Sequence, residues 1–157
     1  VWYSVVEESQ LGDGVRVGPF SLLRPGCQVG SGVRIGNFAE LKNAQVASGA
    51  KIPHHSYLGD AVVGSGVNIG AGTVTVNYDG LRKHQTILED EAFIGCNTNL
   101  IAPVRVGQGA YVAAGSTINR DVPAGALAIA RERQVNKEGW AHRYRQRAKG
   151  RNGDGVR

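Results

Sequence analysis

A branched apolar or small residue returns every six positions along most of the chain. Three runs keep this phase, over residues 11–47, 63–75 and 88–118. A six-residue period fits neither the 3.6-residue turn of a helix nor a strand that alternates for this length. It is typical of a chain that forms a short strand, turns and repeats. The residues in phase, which we expect to face inward, are Leu11, Val17, Leu23, Val29, Ile35, Leu41, Ala47, Val63, Ile69, Thr75, Leu88, Ile94, Leu100, Val106, Val112 and Ile118.

Glycine follows the inward residue in several repeats, as at Gly12, Gly18, Gly30 and Gly36. Three such hexapeptides form one triangular coil, and each coil buries its faces only against its neighbours. The low aromatic content, 6% of residues, agrees with a thin core of small branched side chains. We therefore predict an all-β fold, a parallel β-helix of hexapeptide repeats, rather than a β-sandwich, whose strand spacing would be looser.

The phase breaks at two places. Between Pro53 and Val63 the spacing is ten rather than twelve, and residues 54–57 fall in this interval. Between Thr75 and Leu88 the spacing is thirteen, and polar residues interrupt the apolar pattern. Because insertions in solenoids lie on one face, often the binding face, we expect both breaks to present functional side chains. The second break predicts an inserted loop at about 77–86.

The basic charge is confined to the end of the chain. Residues 1–130 carry 9 Lys+Arg and 10 Asp+Glu, whereas residues 131–157 carry 9 and 3. We predict one β-helix domain over 1–130 and a basic segment over 131–157, with a helical pattern over 136–148 and disorder from residue 150. Although such a tail attracts phosphates, no interleaving of aromatic and basic residues indicates nucleic-acid binding.

Several observations bear on location and completeness. No apolar run approaches the roughly 20 residues of a membrane span, and no secretion leader is present, so we expect a cytoplasmic protein without membrane contact. Cys27 and Cys96 match no metal spacing, which favours two reduced thiols. The chain starts at Val1 and contains no methionine, so we expect it to be part of a longer protein.

The repeats carry motifs more specific than the six-residue period itself. These are LRPG (23–26), IGNFAELKNA (35–44), HHSYLGD (54–60), VNIGAGTVTVNYDG (67–80), LIAPVRVG (100–107), ALAIAR (126–131) and KEGW (137–140). With them the chain resembles the acetyltransferase domains of bacterial bifunctional N-acetylglucosamine-1-phosphate uridyltransferase/glucosamine-1-phosphate N-acetyltransferases. The resemblance covers residues 11–140, nearly the whole ordered part expected.

This resemblance implies a left-handed β-helix, a homotrimer and active sites between subunits. It also implies acetyl transfer from acetyl-CoA to the amine of glucosamine-1-phosphate, without a metal, on the route to UDP-N-acetylglucosamine for peptidoglycan and lipopolysaccharide. The uridyltransferase domain that precedes this domain in the family is expected to be absent from this chain.

The motifs also imply roles for individual residues. His54 matches the family's general base, and Glu40 matches an acid that orients it or raises its pKa. Amine attack on a thioester needs such a base because only the neutral amine is nucleophilic. The residues that match acceptor contacts are Arg24, Lys42 and Lys83 for the phosphate and Tyr57 and Asn68 for the sugar.

The coenzyme A groove is likewise implied by matched positions. The matching residues are Ala71, Asn77, Tyr78, Cys96, Ala114 and Arg131. Small side chains at Ala71 and Ala114 let the backbone reach the pantetheine and the thioester oxygen, and the Ala71 N–H is a candidate oxyanion donor. Trp140 is a candidate for stacking on adenine or for packing. Many family members have Ser where this chain has Cys96, so a hydroxyl contact is replaced, and an acetyl-cysteine intermediate is a further hypothesis.

Two other functions are open at this point. A γ-class carbonic anhydrase shares the trimeric left-handed β-helix but needs three zinc-ligating histidines, and the chain has only His54, His55, His84 and His142. A non-catalytic trimerisation or regulatory β-helix would have no reason to keep His54, Tyr57, Asn68 and Lys83 together.

Overall fold

Residues 1–151 form twenty short strands and one helix. A computed structural model describes residues 1–151. The strands are β1 (Val5–Val6), β2 (Gln10–Leu11), β3 (Arg16–Val17), β4 (Leu22–Leu23), β5 (Gln28–Val29), β6 (Arg34–Ile35), β7 (Ala39–Lys42), β8 (Gln45–Val46), β9 (Lys51–Ile52), β10 (Ser56–Gly59), β11 (Ala61–Val63), β12 (Asn68–Ile69), β13 (Val74–Val76), β14 (Thr86–Leu88), β15 (Phe93–Ile94), β16 (Asn99–Ile101), β17 (Val104–Val106), β18 (Tyr111–Val112), β19 (Thr117–Ile118) and β20 (Leu127–Ala128). The helix is α1 (Trp140–Arg151).

Every third strand stacks on its predecessor, which builds a three-sided solenoid. Face A is ordered β1-β4-β7-β10-β13-β16-β19, face B is ordered β2-β5-β8-β11-β14-β17, and face C is ordered β3-β6-β9-β12-β15-β18-β20. All pairings between these strands are parallel, because each coil returns in the same direction above the last. The fold is a left-handed parallel β-helix of about seven turns, and this confirms the predicted fold class.

The core is three columns of inward side chains, one behind each face. Most of these residues are at most 4% exposed, and branched aliphatic side chains dominate. Each side chain packs on its register partner in the next coil, about 4.8 Å away, so burial depends on an unbroken register. The columns are Leu23, Leu41, Leu58, Thr75, Leu100 and Ile118 behind face A, Val29, Val46, Val63, Leu88 and Val106 behind face B, and Val17, Ile35, Ile52, Ile69, Ile94 and Val112 behind face C.

The predicted phase is wrong in one stretch. The inward residue is Val46 rather than Ala47, since Val46 is 3% exposed and pairs with Val63. Two repeats are therefore five residues long instead of six. They span Leu41 to Val46 and Leu58 to Val63, and both are shortened at the same corner. At this corner Asn43 and Asp60 adopt positive φ, 46° and 50°, which closes the turn with one residue fewer.

This register also corrects the predicted position of residues 54–57. Ile52 and Leu58 are both buried and are separated by the regular six residues, so His54 lies in an ordinary corner and not in a break. Backbone contact fixes this corner from below. A Cβ atom on Gly36 would collide with the backbone carbonyl of Pro53, so only glycine lets the two coils approach there.

Two segments leave the solenoid. Residues 77–85 project between β13 and β14, and an antiparallel bridge joins Tyr78 to Lys83. After β20 the chain runs to α1, which begins at Trp140 rather than at residue 136, because Gly139 with φ of 69° directly precedes it. The disorder predicted at the end of the chain falls on residues 152–157, which lie outside the described residues.

Other expectations can be compared with residues 1–151. Cys27 is buried, Cys96 is exposed, and both are free thiols, as the sequence predicts. The helix α1 in this part of the chain is not long and apolar enough to span a membrane.

The corrected register can be tested by one pair of substitutions. Val46→Asp should lower the free energy of unfolding by several kcal/mol, because it buries a carboxylate without a partner. Gln45→Asp, on the exposed neighbour, should change it by no more than about 0.5 kcal/mol. Denaturant titration of both variants checks this. Equal effects at the two positions would contradict the assignment of Val46 to the core.

Candidate active site

Four of the predicted site residues form a vertical row at the corner where face C turns into face A. His54, Ala71, Cys96 and Ala114 each follow the last inward residue of face C by two positions. Backbone hydrogen bonds connect successive coils here, from Asn97 N–H to the Ala71 carbonyl and from Gly115 N–H to the Cys96 carbonyl, at 2.7 and 2.8 Å. We call the corner that carries this row the AC corner. It places the predicted base below three predicted cofactor positions.

The AC corner row is open to solvent. His54, Cys96 and Ala114 are exposed, and Ala71 is half-buried. Among residues 1–151, no protein acceptor takes the backbone N–H of Ala71, so this donor is free to bind a ligand. The Arg131 side chain extends the row, because its Nη1 donates to the Ala114 carbonyl at 2.6 Å. The corner therefore combines a titratable ring, a free backbone donor and a cation.

The three predicted phosphate cations lie together where face A turns into face B. Lys42 ends β7, and Lys83 from the projecting loop reaches it. The pKa of the Lys42 ammonium is lowered, chiefly by its contact with Lys83 and by the charge of Lys83, with a smaller effect from Arg24. Because like charges raise each other's free energy, this cluster is set to accept an anion.

Glu40 and Tyr57 are neighbours on face A. Their Cα atoms are register partners, and both side chains point outward beside the cation cluster. The Glu40 carboxylate accepts from Arg24 Nη1 at 3.2 Å. Within the described residues, no side-chain hydrogen bond joins Glu40 to His54. In this structure Glu40 thus contacts the cations rather than the predicted base.

Asn68 is the one predicted acceptor contact that lies apart. It belongs to β12 on face C, between Lys51 and Phe93, whereas Tyr57 and the cations line face A. Within one chain, the AC corner lies between face C, which carries Asn68, and face A, which carries Tyr57. Asn68 is half-buried and points away from the core, so it lies on the outer surface of face C.

Asp60 is a site residue without an assigned role in the sequence prediction, although it ends the HHSYLGD motif. Its Oδ1 accepts from Asn43 Nδ2 at 2.8 Å and its Oδ2 accepts from Asn77 Nδ2 at 2.6 Å. Burial tends to raise the pKa of the Asp60 carboxyl, but the two amide donors, Lys83 and Lys42 outweigh it, and the pKa is lowered overall. The signal in the sequence was the shortened repeat at Asp60, which the misplaced phase concealed.

Gly59 forms the floor under two predicted ligand contacts. A Cβ atom there would lie 2.5 Å from the Tyr57 hydroxyl and 2.6 Å from Asn77 Nδ2. Such distances are too short for non-bonded atoms, so any larger residue would displace both side chains. The predicted sugar contact Tyr57 and the predicted cofactor contact Asn77 therefore meet above one glycine.

The projecting loop is held by its own hydrogen bonds. Asp79 accepts from the N–H groups of Leu81 and Arg82 at 2.8 and 2.6 Å, and its Oδ2 lies 2.7 Å from His84 Nε2. These contacts, with the Arg82 N–H first, hold the pKa of the Asp79 carboxyl well below its usual value of 3.8. Tyr78 is exposed, and its hydroxyl donates to the Gly80 carbonyl. The loop presents Tyr78 and Lys83 in a defined conformation.

The carbonic anhydrase alternative finds no ligand set in the described part of the chain. Residues 1–151 contain no group of three or more His, Cys, Asp or Glu side chains that could hold a metal ion. His54 and His55 are adjacent in one corner. His84 Nε2 is in a hydrogen bond with Asp79 Oδ2.

The fold and the repeats define the class of this chain: it is a hexapeptide-repeat β-helix. The family model of the bacterial transferase hexapeptide (six repeats) matches residues 8–43. The bifunctional protein GlmU of Brevibacillus brevis is 61% identical over 147 residues, which are 94% of this chain and 32% of that protein. GlmU of Caldicellulosiruptor saccharolyticus is 56% identical over 146 residues, which are 93% of this chain and 32% of that protein. The resemblance seen in the motifs is thus confirmed, and the chain spans about a third of the length of these relatives.

Solved structures of similar fold include two sugar N-acyltransferases. PerB from Caulobacter crescentus, in complex with CoA and GDP-perosamine, superposes with a TM-score of 0.68 at 20% identity, covering 78% of this chain and 57% of that one. A mutant of AntD, an N-acyltransferase from Bacillus cereus in complex with dTDP-4-amino-4,6-dideoxyglucose and coenzyme A, gives 0.70 at 19% identity, covering 94% and 91%. At this identity the two structures support the fold.

The loop geometry leads to a prediction about acid. Because the pKa of Asp79 is lowered in the folded loop, its ionisation stabilises the loop above pH 3.8, and this is lost only as pH falls through the lower folded value. The amides of Leu81 and Arg82 should therefore stay protected from hydrogen exchange at pH 4. Asp79→Ala should speed their exchange about tenfold, the effect of a charge-assisted hydrogen bond, whereas Gln85→Ala should not. Unchanged exchange in Asp79→Ala would contradict this account of the loop.

Proposed function

We propose that this chain transfers the acetyl group of acetyl-CoA to the amine of glucosamine-1-phosphate, giving N-acetylglucosamine-1-phosphate and coenzyme A. The observation that carries the proposal is that an exposed histidine and a cluster of three cations lie at the two edges of the same face, face A. The GlmU relatives, which match nearly the whole chain, and the coenzyme A complexes of PerB and AntD support it.

The acceptor is held by its phosphate in this proposal. Arg24, Lys42 and Lys83 bind the dianion, and Arg24 is suited to a two-pronged contact while each lysine acts as a point charge. Tyr57 and Asn68 contact the sugar. The repulsion between Lys42 and Lys83 is relieved when the dianion binds, which favours a phosphorylated acceptor over a neutral sugar.

The chemistry then needs one proton transfer and one displacement. His54 accepts the proton that the amine loses as its lone pair attacks the thioester carbonyl. The carbonyl oxygen becomes negative, and the free N–H of Ala71 stabilises it. The C–S bond breaks, coenzyme A leaves as a thiolate, and the proton returns from His54 to the sulfur. The Glu40 carboxylate accepts from Arg24 and so helps to hold this cation beside the acceptor phosphate.

Coenzyme A lies along the AC corner in this proposal. Ala71, Cys96 and Ala114 form the wall, Asn77 and Tyr78 reach it from the loop, and Arg131 meets the nucleotide phosphates. An acetyl-cysteine route through Cys96 is not needed, because the amine and the thioester can meet directly at His54. No metal takes part in this reaction.

We further propose that the active unit is a cytoplasmic homotrimer with sites between subunits. Phe20 and Phe38 stack at the corner between faces C and A in the lower coils, with Tyr3 tilted against Phe20, and Phe20 and Phe38 are each 60% exposed. Such a solvent-exposed aromatic column is typical of a surface that a partner covers. A neighbouring chain at this corner would also give Asn68 a role, since it could complete a site from face C of one subunit and face A of another.

The reaction itself provides the first test. The chain is mixed with acetyl-CoA and glucosamine-1-phosphate, and free thiol is followed. The proposal predicts thiol release that requires this acceptor, with much slower release for glucosamine, which lacks the phosphate. Absence of thiol release, or equal release with an unphosphorylated amine, would contradict the assignment. The product belongs on the route to UDP-N-acetylglucosamine, so a nucleotidyl transfer should consume it.

The role of His54 predicts a sharp difference between two adjacent histidines. His54→Ala should lower kcat by about 10²–10⁴-fold, the usual contribution of a general base, with unchanged denaturation. His55→Ala, which changes an equally exposed neighbour, should retain kcat within about threefold of the parent. Steady-state kinetics and denaturant titration of both variants provide the measurement. Equal losses in the two variants would argue against His54 as the base.

The trimer predicts a second pair of variants. Changing Phe20 and Phe38 together to Ser should shift the molecular mass measured by light scattering from three chains toward one, because the exposed aromatic surface is removed. Activity should fall in parallel, since the site needs two subunits. Val62→Ser on face B should leave the mass unchanged. A monomeric parent with full activity would refute this part of the proposal.

A further inference from the structure

Asp60 holds both ends of the projecting loop. Its carboxylate accepts from Asn77, the first residue of the loop, at 2.6 Å. Its backbone carbonyl accepts from the N–H of Thr86, the first residue after the loop, at 3.3 Å. Its own N–H donates to the Lys42 carbonyl at 3.0 Å. One residue therefore fixes the entrance and the exit of the loop to the strand that carries Lys42.

The loop brings residues to both halves of the proposed site. Asn77 and Tyr78 belong to the cofactor half, and Lys83 belongs to the acceptor half. Asn77 is 8% exposed, and its side chain lies on Gly59, so it has little room to reorient. A displacement of Asn77 would therefore be passed to Lys83 through the bridge between Tyr78 and Lys83.

We propose that Asp60 is a positioning residue that sets the loop, so that the cofactor contacts Asn77 and Tyr78 and the phosphate contact Lys83 are placed together. This inference rests on the proposed function for the identity of the two substrates. It assigns Asp60 no contact with either substrate. Asp60 acts through its hydrogen bond with Asn77, and its negative charge lies near Lys42 and Lys83.

The Asp60 carboxylate faces only donors. Asn43 and Asn77 each present an amide N–H to one of its oxygens, and the two lysines add positive charge. An asparagine at residue 60 would offer one acceptor oxygen and would turn an NH₂ group toward one of the amide donors. The lowered pKa of the Asp60 carboxyl agrees with this anionic role.

Asn43 provides a matched control. It occupies the corresponding corner one coil below, is exposed, and makes the other hydrogen bond to Asp60, at 2.8 Å. Asn43→Gly removes a bond of the same kind from the same carboxylate, keeps the positive φ of this corner free of strain, and leaves Asn77 and the loop in place. A purely local structural role of Asp60 would make the two variants behave alike.

The test compares KM values for both substrates in the full chain. Asp60→Asn should raise KM for acetyl-CoA and for glucosamine-1-phosphate, each by about tenfold, the loss of one hydrogen bond to a charged group. Asn43→Gly should leave both within about twofold. Asn77→Leu should raise both values as well, although Asn77 is assigned to the cofactor alone. The double variant Asp60→Asn/Asn77→Leu should raise neither KM beyond the worse single variant, because the two residues act through one contact.

Several results would overturn the proposal. They are a change in only one KM for Asp60→Asn or Asn77→Leu, additive effects in the double variant, and an equal shift in Asn43→Gly. If Asp60→Asn does not fold, Asn77→Leu tests the same contact from its other side. Titration of coenzyme A followed by calorimetry separates this inference from the proposed function. A parent chain without thiol release contradicts the function, whereas a parent that binds coenzyme A no better than Asp60→Asn contradicts the role of Asp60.

Discussion

The register between successive coils is the constraint on which the structure depends. Each inward side chain is buried only because the same position of the next coil lies directly above it, and the three core columns run through the solenoid without a break. The same register aligns the residues on the outside of the solenoid. His54, Ala71, Cys96 and Ala114 share a corner because the residues two positions before them share a core column. The row at the AC corner is thus a consequence of coil register, whereas Tyr78 and Lys83 are placed by the projecting loop.

The architecture could be predicted from the sequence because a six-residue period over more than a hundred residues has few solutions. The exact phase could not. Ala47 and Val46 are both small apolar residues, so the pattern did not show which one faces inward. The shortened corners at Asn43 and Asp60 became visible in the burial and pairing of Val46 and in the backbone φ values. For the same reason His54 was assigned to a break that lies at Asp60 instead. Spacing alone does not say where in a turn a residue is lost.

The candidate residues came from motifs, and the structure adds their spatial relations. Lys83 is distant from Lys42 in sequence, and only the folded loop brings it near. Glu40 was expected to act on His54 but contacts Arg24, because alternation along β7 directs it to the same side as the cations. Asp60 had no assigned role because the importance of a carboxylate depends on the donors around it, and Asn43, Asn77 and the lysines come from three other places in the chain.

A structure of the chain with coenzyme A and glucosamine-1-phosphate bound tests the central claim most directly. The account predicts coenzyme A along the row of Ala71, Cys96 and Ala114, and the acceptor amine next to His54. It also predicts phosphate oxygens about 3 Å from the nitrogens of Lys42 and Lys83, as in charge-assisted hydrogen bonds. Coenzyme A bound on face B, or an acceptor phosphate away from these lysines, would contradict it.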